Sequence, residues 1–451
     1  MSIGFLGTRT GSLRTLPPFF GGERQASTTE PSLIRPKMRD DPAMSSDAEG
    51  EGLALELPRI RLFNVKYSPN LGDGLLSECL EKALIMLGAS PDTWSIDLAA
   101  RQAYGDTLPG RTQIMSMLDM LPNGLRQQFV RLPLAMQARR KWRPHYSSCL
   151  RGATAVVIGG GNLISDIDLN FPTKLSLAVE EAARLSLPFV VYASGVTSHW
   201  TRRGVSMLEK TFASRLLRGV FVRDHDSKLL WDAQLGQVSG FQASVVRDPA
   251  LLVSQFIAPS RIHDARPPVA GVGIMSHIAI RYHASNAPDT QHLETWYAEL
   301  VRELVRKGFR VAIFTNGSPE DVVYLARLRP RLLTAGGKAV CFPVQRTPTE
   351  LCAIISSLDV LVAYRMHAVI AAYSYGVPAI GLAWDRKLRS FMSSVGCEEF
   401  LCDVAEVSPT AAADLACQAA AAGIAEEDRT QVMREAWQGI SQLINLIGRV
   451  P

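Results

Sequence analysis

From about residue 59 onward, short runs of β-branched and apolar residues alternate with longer stretches in which apolar residues recur at helical spacing. That alternation commits the chain to parallel α/β layers, because parallel strands need a crossover and the helical stretches supply it. The strand-like runs fall at 60–65, 153–158, 189–193, 219–222, 269–274, 310–314, 339–342, 359–363 and 379–382, and a Pro-rich polar stretch at 259–268 divides them into two series. At 451 residues the chain is too long for one ordinary core and suits two domains of roughly 150–200 residues each. The expected architecture is two doubly wound, Rossmann-like α/β domains facing a cleft, with ligands at the carboxyl ends of the strands. The expected boundaries are an N-terminal extension at 1–57, an N-terminal α/β domain at 58–262, a C-terminal α/β domain at 263–396, and helices at 397–451 that pack back on the domains.

The N-terminal extension is rich in Gly, Pro, Ser and Thr without a sustained period and is expected to be disordered. Arg9 and Arg14 interrupt what would be the apolar region of a signal peptide, and translation from Met38 or Met44 would leave the folded part untouched. No apolar stretch reaches the roughly 18 residues that span a bilayer, so the chain reads as soluble. A net charge of +5 comes without any aromatic-interleaved basic cluster, which argues against a nucleic-acid partner. Seven scattered cysteines with no Cys-x-x-Cys pair suggest neither a disulfide frame nor a zinc knuckle, and fit a reducing, cytoplasmic compartment. Residues 101–150, with Pro109, Pro122, Pro133 and Pro144, read as an irregular helical insertion that either packs or covers a site. The Ala-rich stretches at 411–413 and 419–422 and the amphipathic segment 433–446 read as closing helices.

The chemistry-bearing residues follow the strand ends. The run at 360–363 delivers Tyr364-Arg365-Met366-His367 to the start of a helix. Unpaired amides there, together with Arg365, suit a phosphate or carboxylate, and histidine is the side chain that exchanges protons near neutral pH. After the first strand comes Asn70-Leu71-Gly72-Asp73-Gly74, where Asp73 either caps the next helix or faces the cleft to handle a proton or a sugar hydroxyl. Gly159, Gly160 and Gly161, followed by Asn162, either bring backbone amides up to a ligand or form a crowded turn. They match neither a P-loop nor a Gly-x-Gly-x-x-Gly fingerprint, and Gly271-Val272-Gly273 lacks the third glycine. Ser194-Gly195, His199, Val222-Arg223-Asp224 with Ser227, and Asp248-Pro249 close further strands. Arg223 either pairs with a carboxylate such as Asp224 or binds an anion, and His199 is equally a solvated loop residue. No cluster has metal-ligand spacing, so neither a metal nor a cofactor is expected.

In this order, these motifs, with Arg365-Met366-His367-Ala368, Gly376-Val377-Pro378 and Lys387, resemble the polysaccharide pyruvyl transferase family over about residues 60 to 400. The resemblance implies a fold similar to the two-domain glycosyltransferase B type. It also implies transfer of the pyruvyl group of phosphoenolpyruvate to a sugar of an exopolysaccharide or cell-surface glycan, or of its lipid-linked precursor, as a ketal with release of phosphate. The family's arginine-leucine-histidine triplet is associated with phosphoenolpyruvate, and Met366 replaces the leucine in a volume-conserving exchange. His367 is then the general acid or phosphate stabiliser, and Asp73 or Asp166 takes the hydroxyl proton. Arg365, Arg223, Lys387, Gly159–Gly161, Asn162, Ser194 and His199 contact substrate. The partners implied are the donor, the sugar acceptor and, through a lipid-linked acceptor, a membrane surface.

Two alternatives use the same layers. A nucleotide-sugar glycosyltransferase would turn the anion chemistry to a diphosphate, and a non-catalytic binding protein would keep the fold alone; the intact Asp73, Arg365 and His367 argue against the second. Acceptor choice is expected in loops 101–150 and 277–292, the latter carrying His277, His283 and His292.

Overall fold

The computed structural model describes residues 57–106, 133–166, 168–260, 267–281, 289–383 and 385–448. The expected N-terminal extension, most of the 101–150 insertion, and His283 lie outside the described residues.

Two parallel six-stranded sheets form the frame. The first holds β1 (Ile60–Asn64), β2 (Trp94–Asp97), β3 (Ala155–Gly159), β4 (Phe189–Ser194), β5 (Leu217–Val222) and β6 (Ser244–Val245), in the order β2-β1-β3-β4-β5-β6. The second holds β7 (Val269–Gly273), β8 (Arg310–Phe314), β9 (Val340–Cys341), β10 (Val360–Ala363), β11 (Ala379–Leu382) and β12 (Leu401–Cys402), in the order β12-β11-β10-β7-β8-β9. The doubly wound expectation is met in both, and nine of the strands fall on the predicted runs. Strands β1, β3, β4, β7, β10 and β11 are buried throughout, which is why they read as continuous apolar runs rather than alternating ones. The three missed strands, β2, β6 and β12, are edge strands of two to four residues.

The strand orders locate the crevices. In the first sheet the order reverses between β1 and β3, and in the second between β7 and β10, so chain segments leaving these strands diverge and open a ligand site at their carboxyl ends. The motifs at Asn70–Asp73, Gly159–Asn162 and Arg365–His367 all leave strands that flank a reversal.

One apolar cluster joins the halves. It runs from Leu71, Leu75 and Leu80 of the first helix (Leu71–Met86) to Ala368, Val369 and Ala372 of the helix Met366–Ser374, and on to Trp437, Ile440 and Leu443 of the last helix, Glu426–Gly448. Gly439 lets that last helix approach the first sheet, for a Cβ there would lie 2.9 Å from the Tyr192 hydroxyl. Of the 101–150 stretch, the described part packs: Trp142 and Tyr146 are buried, and the Tyr146 hydroxyl donates to the Leu98 carbonyl. Among the described residues no helix is long and apolar enough to cross a membrane.

Candidate active site

The helix after β1 is capped by Asn70, whose side-chain oxygen accepts from the Gly72 amide at 3.4 Å. Asp73 is thereby left free of the capping role, and its Oδ1 lies 4.0 Å from Nδ1 of His367. Gly72 makes the approach sterically feasible, since a Cβ at this position would fall 2.6 Å from the His367 Cβ and 2.9 Å from its Nδ1.

Arg365 and His367 leave β10 together and then part. His367 is 6% exposed and occupies the first turn of its helix. Its Nε2 faces Oδ2 of Asp248 at 3.5 Å, and neither atom has a hydrogen-bond partner. The other oxygen of Asp248 caps the short Pro249–Leu252 turn by accepting from the Ala250 amide at 2.9 Å, which fixes the carboxylate's direction. His367 is thus held between two carboxylates of the first half, Asp73 from the helix after β1 and Asp248 from the turn after β6. Arg365 turns the other way: its Nε and Nη2 donate to Asp321, which is fully buried, and Asp321 also accepts from the Ser276 amide.

A cationic pair completes the site. Arg223 leaves β5 with its Nε donating to Asp224 at 3.3 Å, while Nη2 is buried and unpartnered. A Cβ on Gly195 would lie 2.6 Å from that Nη2 and 2.5 Å from Oδ1 of Asn162, another buried atom without a partner. Ser194 is completely buried with its hydroxyl also unpartnered, and it follows Ala193, held at φ 49°, a strained left-handed conformation at the register shift between Val191 and Ser194 in the pairing of β4 with β5. Lys387 stands nearby: burial first, and then the Arg223 charge, pull its ammonium down to about 8, partly offset by Asp385, Asp224 and Asp73. Unsatisfied buried polar groups are costly, so a cluster of five (Asn162, Ser194, Arg223, Asp248, His367) is the mark of a site built to be completed by a ligand.

Arg223, Asp224, Asp248, Met366 and Lys387 line a cleft of about 660 Å³. Gly161, at φ 67°, sits over Asp73, with a Cβ position 3.8 Å from its Oδ1. Gly159 serves packing, as a Cβ there would collide with the Tyr192 carbonyl, and Gly160 abuts Leu76. Asp166 is structural: its carboxylate accepts from the Thr201 amide and hydroxyl at 2.7 and 2.6 Å and from the Leu169 amide. His199 is exposed. His292 lies in the helix Thr290–Arg306 with Nε2 3.3 Å from the Val404 carbonyl, and so belongs to no open loop. Among the described residues no group of three or more His, Cys, Asp or Glu side chains is placed to hold a metal ion. In the sequence Asp248 stands only among the strand-closing residues, with no sign of its pairing to His367, and nothing there singles out Asp321.

A buried histidine between two carboxylates, with an arginine whose Nη2 lacks a partner at the end of β5, therefore marks the candidate site of this α/β fold. The model of the polysaccharide pyruvyl transferase family matches residues 70–386, and the chain belongs to that family. No curated protein sequence matches it. Among solved structures it is similar to the glycosyltransferase SnogD from Streptomyces nogalater, at 16% identity and a TM-score of 0.44 over 87% of this chain and 100% of that one. It is also similar to a UDP-GlcNAc 2-epimerase from Methanocaldococcus jannaschii, at 12% identity and a TM-score of 0.43 over 84% and 92% of the two chains.

Proposed function

We propose that the protein transfers the pyruvyl group of phosphoenolpyruvate onto a sugar of an exopolysaccharide or cell-surface glycan, or of its lipid-linked precursor, forming a cyclic ketal and releasing phosphate. The reading rests on one observation: Asp248, which faces His367 Nε2 at 3.5 Å, lines the same cleft as Arg223 and Lys387. The donor carries two anionic groups, and a guanidinium and an ammonium suit a phosphate and a carboxylate.

Protonation of the donor's methylene carbon makes the phosphate-bearing carbon electrophilic. A sugar hydroxyl adds there, phosphate departs with the C–O bond electrons, and a second hydroxyl of the same sugar closes the ketal. One proton is delivered and the hydroxyl protons are taken up, so an acid and a base are needed. His367 delivers the proton; the two carboxylates orient the ring, and Asp73 or Asp248 receives a hydroxyl proton. Lys387 and the free Nη2 of Arg223 neutralise the departing phosphate. Beyond the donor the reading calls for no cofactor, and it places the enzyme in the cytoplasm, where such a donor is made.

The test is phosphate release from phosphoenolpyruvate by purified protein across a panel of oligosaccharide and lipid-linked acceptors. Acceptor-dependent release, lost in Arg223→Ala, supports the assignment. A protein that ignores phosphoenolpyruvate but is stabilised by a nucleotide sugar would overturn it.

A further inference from the structure

The same cleft has a second group of lining residues, and it differs in chemistry from the first. The last helix presents Glu435, Gln438, Gly439 and Gln442 to the cavity, positions spaced so that they form a single stripe. Opposite them the helix Arg386–Ser394 contributes Ser390 and Phe391. Arg247 joins the two walls: its Nε donates to Glu435 at 2.8 Å and its Nη1 to the Ser394 hydroxyl at 2.8 Å. The charge of Arg247 is therefore balanced by Glu435, and, Lys387 and Gly439 apart, these two helices otherwise line the cavity with two carboxamides, three serines and one phenyl ring. Gln438 and Gln442 are exposed, and among the described residues they and Ser390 engage no hydrogen-bond partner.

We infer that this stripe is the acceptor subsite, and that it takes a neutral hexopyranoside. Carboxamides are donors and acceptors at once, and so match vicinal hydroxyls, while an aromatic side chain gives the C–H face of a sugar ring an apolar wall. A diphosphate or an acidic sugar would need a cation with donors to spare, and the unpartnered Nη2 of Arg223 and the ammonium of Lys387 stand in the other group. The cavity of about 660 Å³ exceeds what a three-carbon donor fills, which leaves room for a sugar ring beside it. Acceptor choice thus lies with the last helix rather than with the 101–150 or 277–292 loops.

The inference rests on the proposed function for the identity of the second substrate, and the experiment separates the two. Saturation-transfer NMR on the full-length protein, with methyl hexopyranosides of galactose, glucose and N-acetylmannosamine, is run with phosphoenolpyruvate present, for the wild type and for Gln438→Leu/Gln442→Leu. Both positions are exposed on a helix, so the double variant keeps the fold. The expected result is saturation of at least one glycoside by the wild type, about tenfold weaker affinity in the double variant, and unchanged saturation of phosphoenolpyruvate in both. Glycoside binding unaltered in the variant, or none to the wild type at millimolar concentration while phosphoenolpyruvate binds, overturns the subsite. Glutamine-dependent glycoside binding by a protein that ignores phosphoenolpyruvate keeps the subsite and removes the donor assignment.

Discussion

Gly72 and His367 come from different halves of the chain and meet so closely that the glycine has no room for a methyl group: a Cβ on Gly72 would stand 2.6 Å from the His367 Cβ. Within a helix, alanine is worth about 0.5–1 kcal/mol more than glycine. The clash falls on a Cβ, which moves only with its backbone, so overpacking of about 1–3 kcal/mol outweighs that gain, and Gly72→Ala should lower the melting temperature while displacing the imidazole. Misplacement by an ångström costs on the order of a hundredfold in rate. The expected outcome is a kcat reduced ten- to a hundredfold in a protein that still melts cooperatively, at a lower temperature; a fully active Gly72→Ala protein would show that the position of His367 is not critical.

His367→Ala should abolish turnover, by about 10²–10⁴ for a lost proton carrier, with the fold intact by circular dichroism. Asp73→Asn and Asp248→Asn then divide the carboxylates. The one that receives the hydroxyl proton lowers kcat and shifts the pH profile of kcat/KM, whereas the one that only orients the ring lowers kcat without moving the profile.

Lys387 supplies a pH prediction. Its ammonium, ordinarily titrating at 10.5, is pulled down to about 8 by burial and by Arg223. A folded-state value below the unfolded one means that the charged form opposes folding below pH 8, and that this penalty fades as pH rises between 8 and 10.5. Lys387→Met should accordingly raise the melting temperature at pH 7 while weakening phosphoenolpyruvate binding. In the wild type, donor binding at pH 8–9 should take up a proton, because an anion restores the lysine's charge. Calorimetry in two buffers of different ionisation enthalpy reads that uptake directly, and an identical heat in both would remove Lys387 from the donor site.

Asp321 is fully buried and bears the Arg365 guanidinium. Removing one member of a buried pair leaves the other uncompensated and costs about 3–5 kcal/mol. Asp321→Ala should fall by that order in urea unfolding, whereas Asp321→Asn, which keeps an acceptor for the Ser276 amide, should fall less.

Much of the fold was written in local pattern. Strands buried on both faces cannot alternate, so β1, β3, β4 and β10 appear as unbroken apolar runs, and small or polar residues mark where each opens to the cleft. Edge strands such as β6, two exposed residues long, carry no such mark. The site was legible in its residue types but less so in its pairings. That Asp73 would be free for His367 depended on Asn70 taking the cap, a competition between neighbouring side chains that spacing does not decide. The Asp248–His367 and Asp321–Arg365 pairs join distant stretches of chain, and the partner that Arg365 takes in Asp321 could not be read from spacing. For the last helix, amphipathic spacing exposed the apolar face; its polar stripe gains meaning only from the wall opposite.

The last helix also bears on how the protein can be divided. It follows the second sheet in sequence, yet Gly439 seats it against Tyr192 of β4, and its Arg429 donates to the Ser374 carbonyl at 2.6 Å. Ser374 in turn donates to the Leu251 carbonyl at 2.7 Å. Neither half of this polypeptide therefore carries all of its own packing surface. A chimera that exchanges only residues 267–448 with a relative would import a foreign helix against a native sheet. Halves should be swapped with the last helix kept on the side of the sheet it covers.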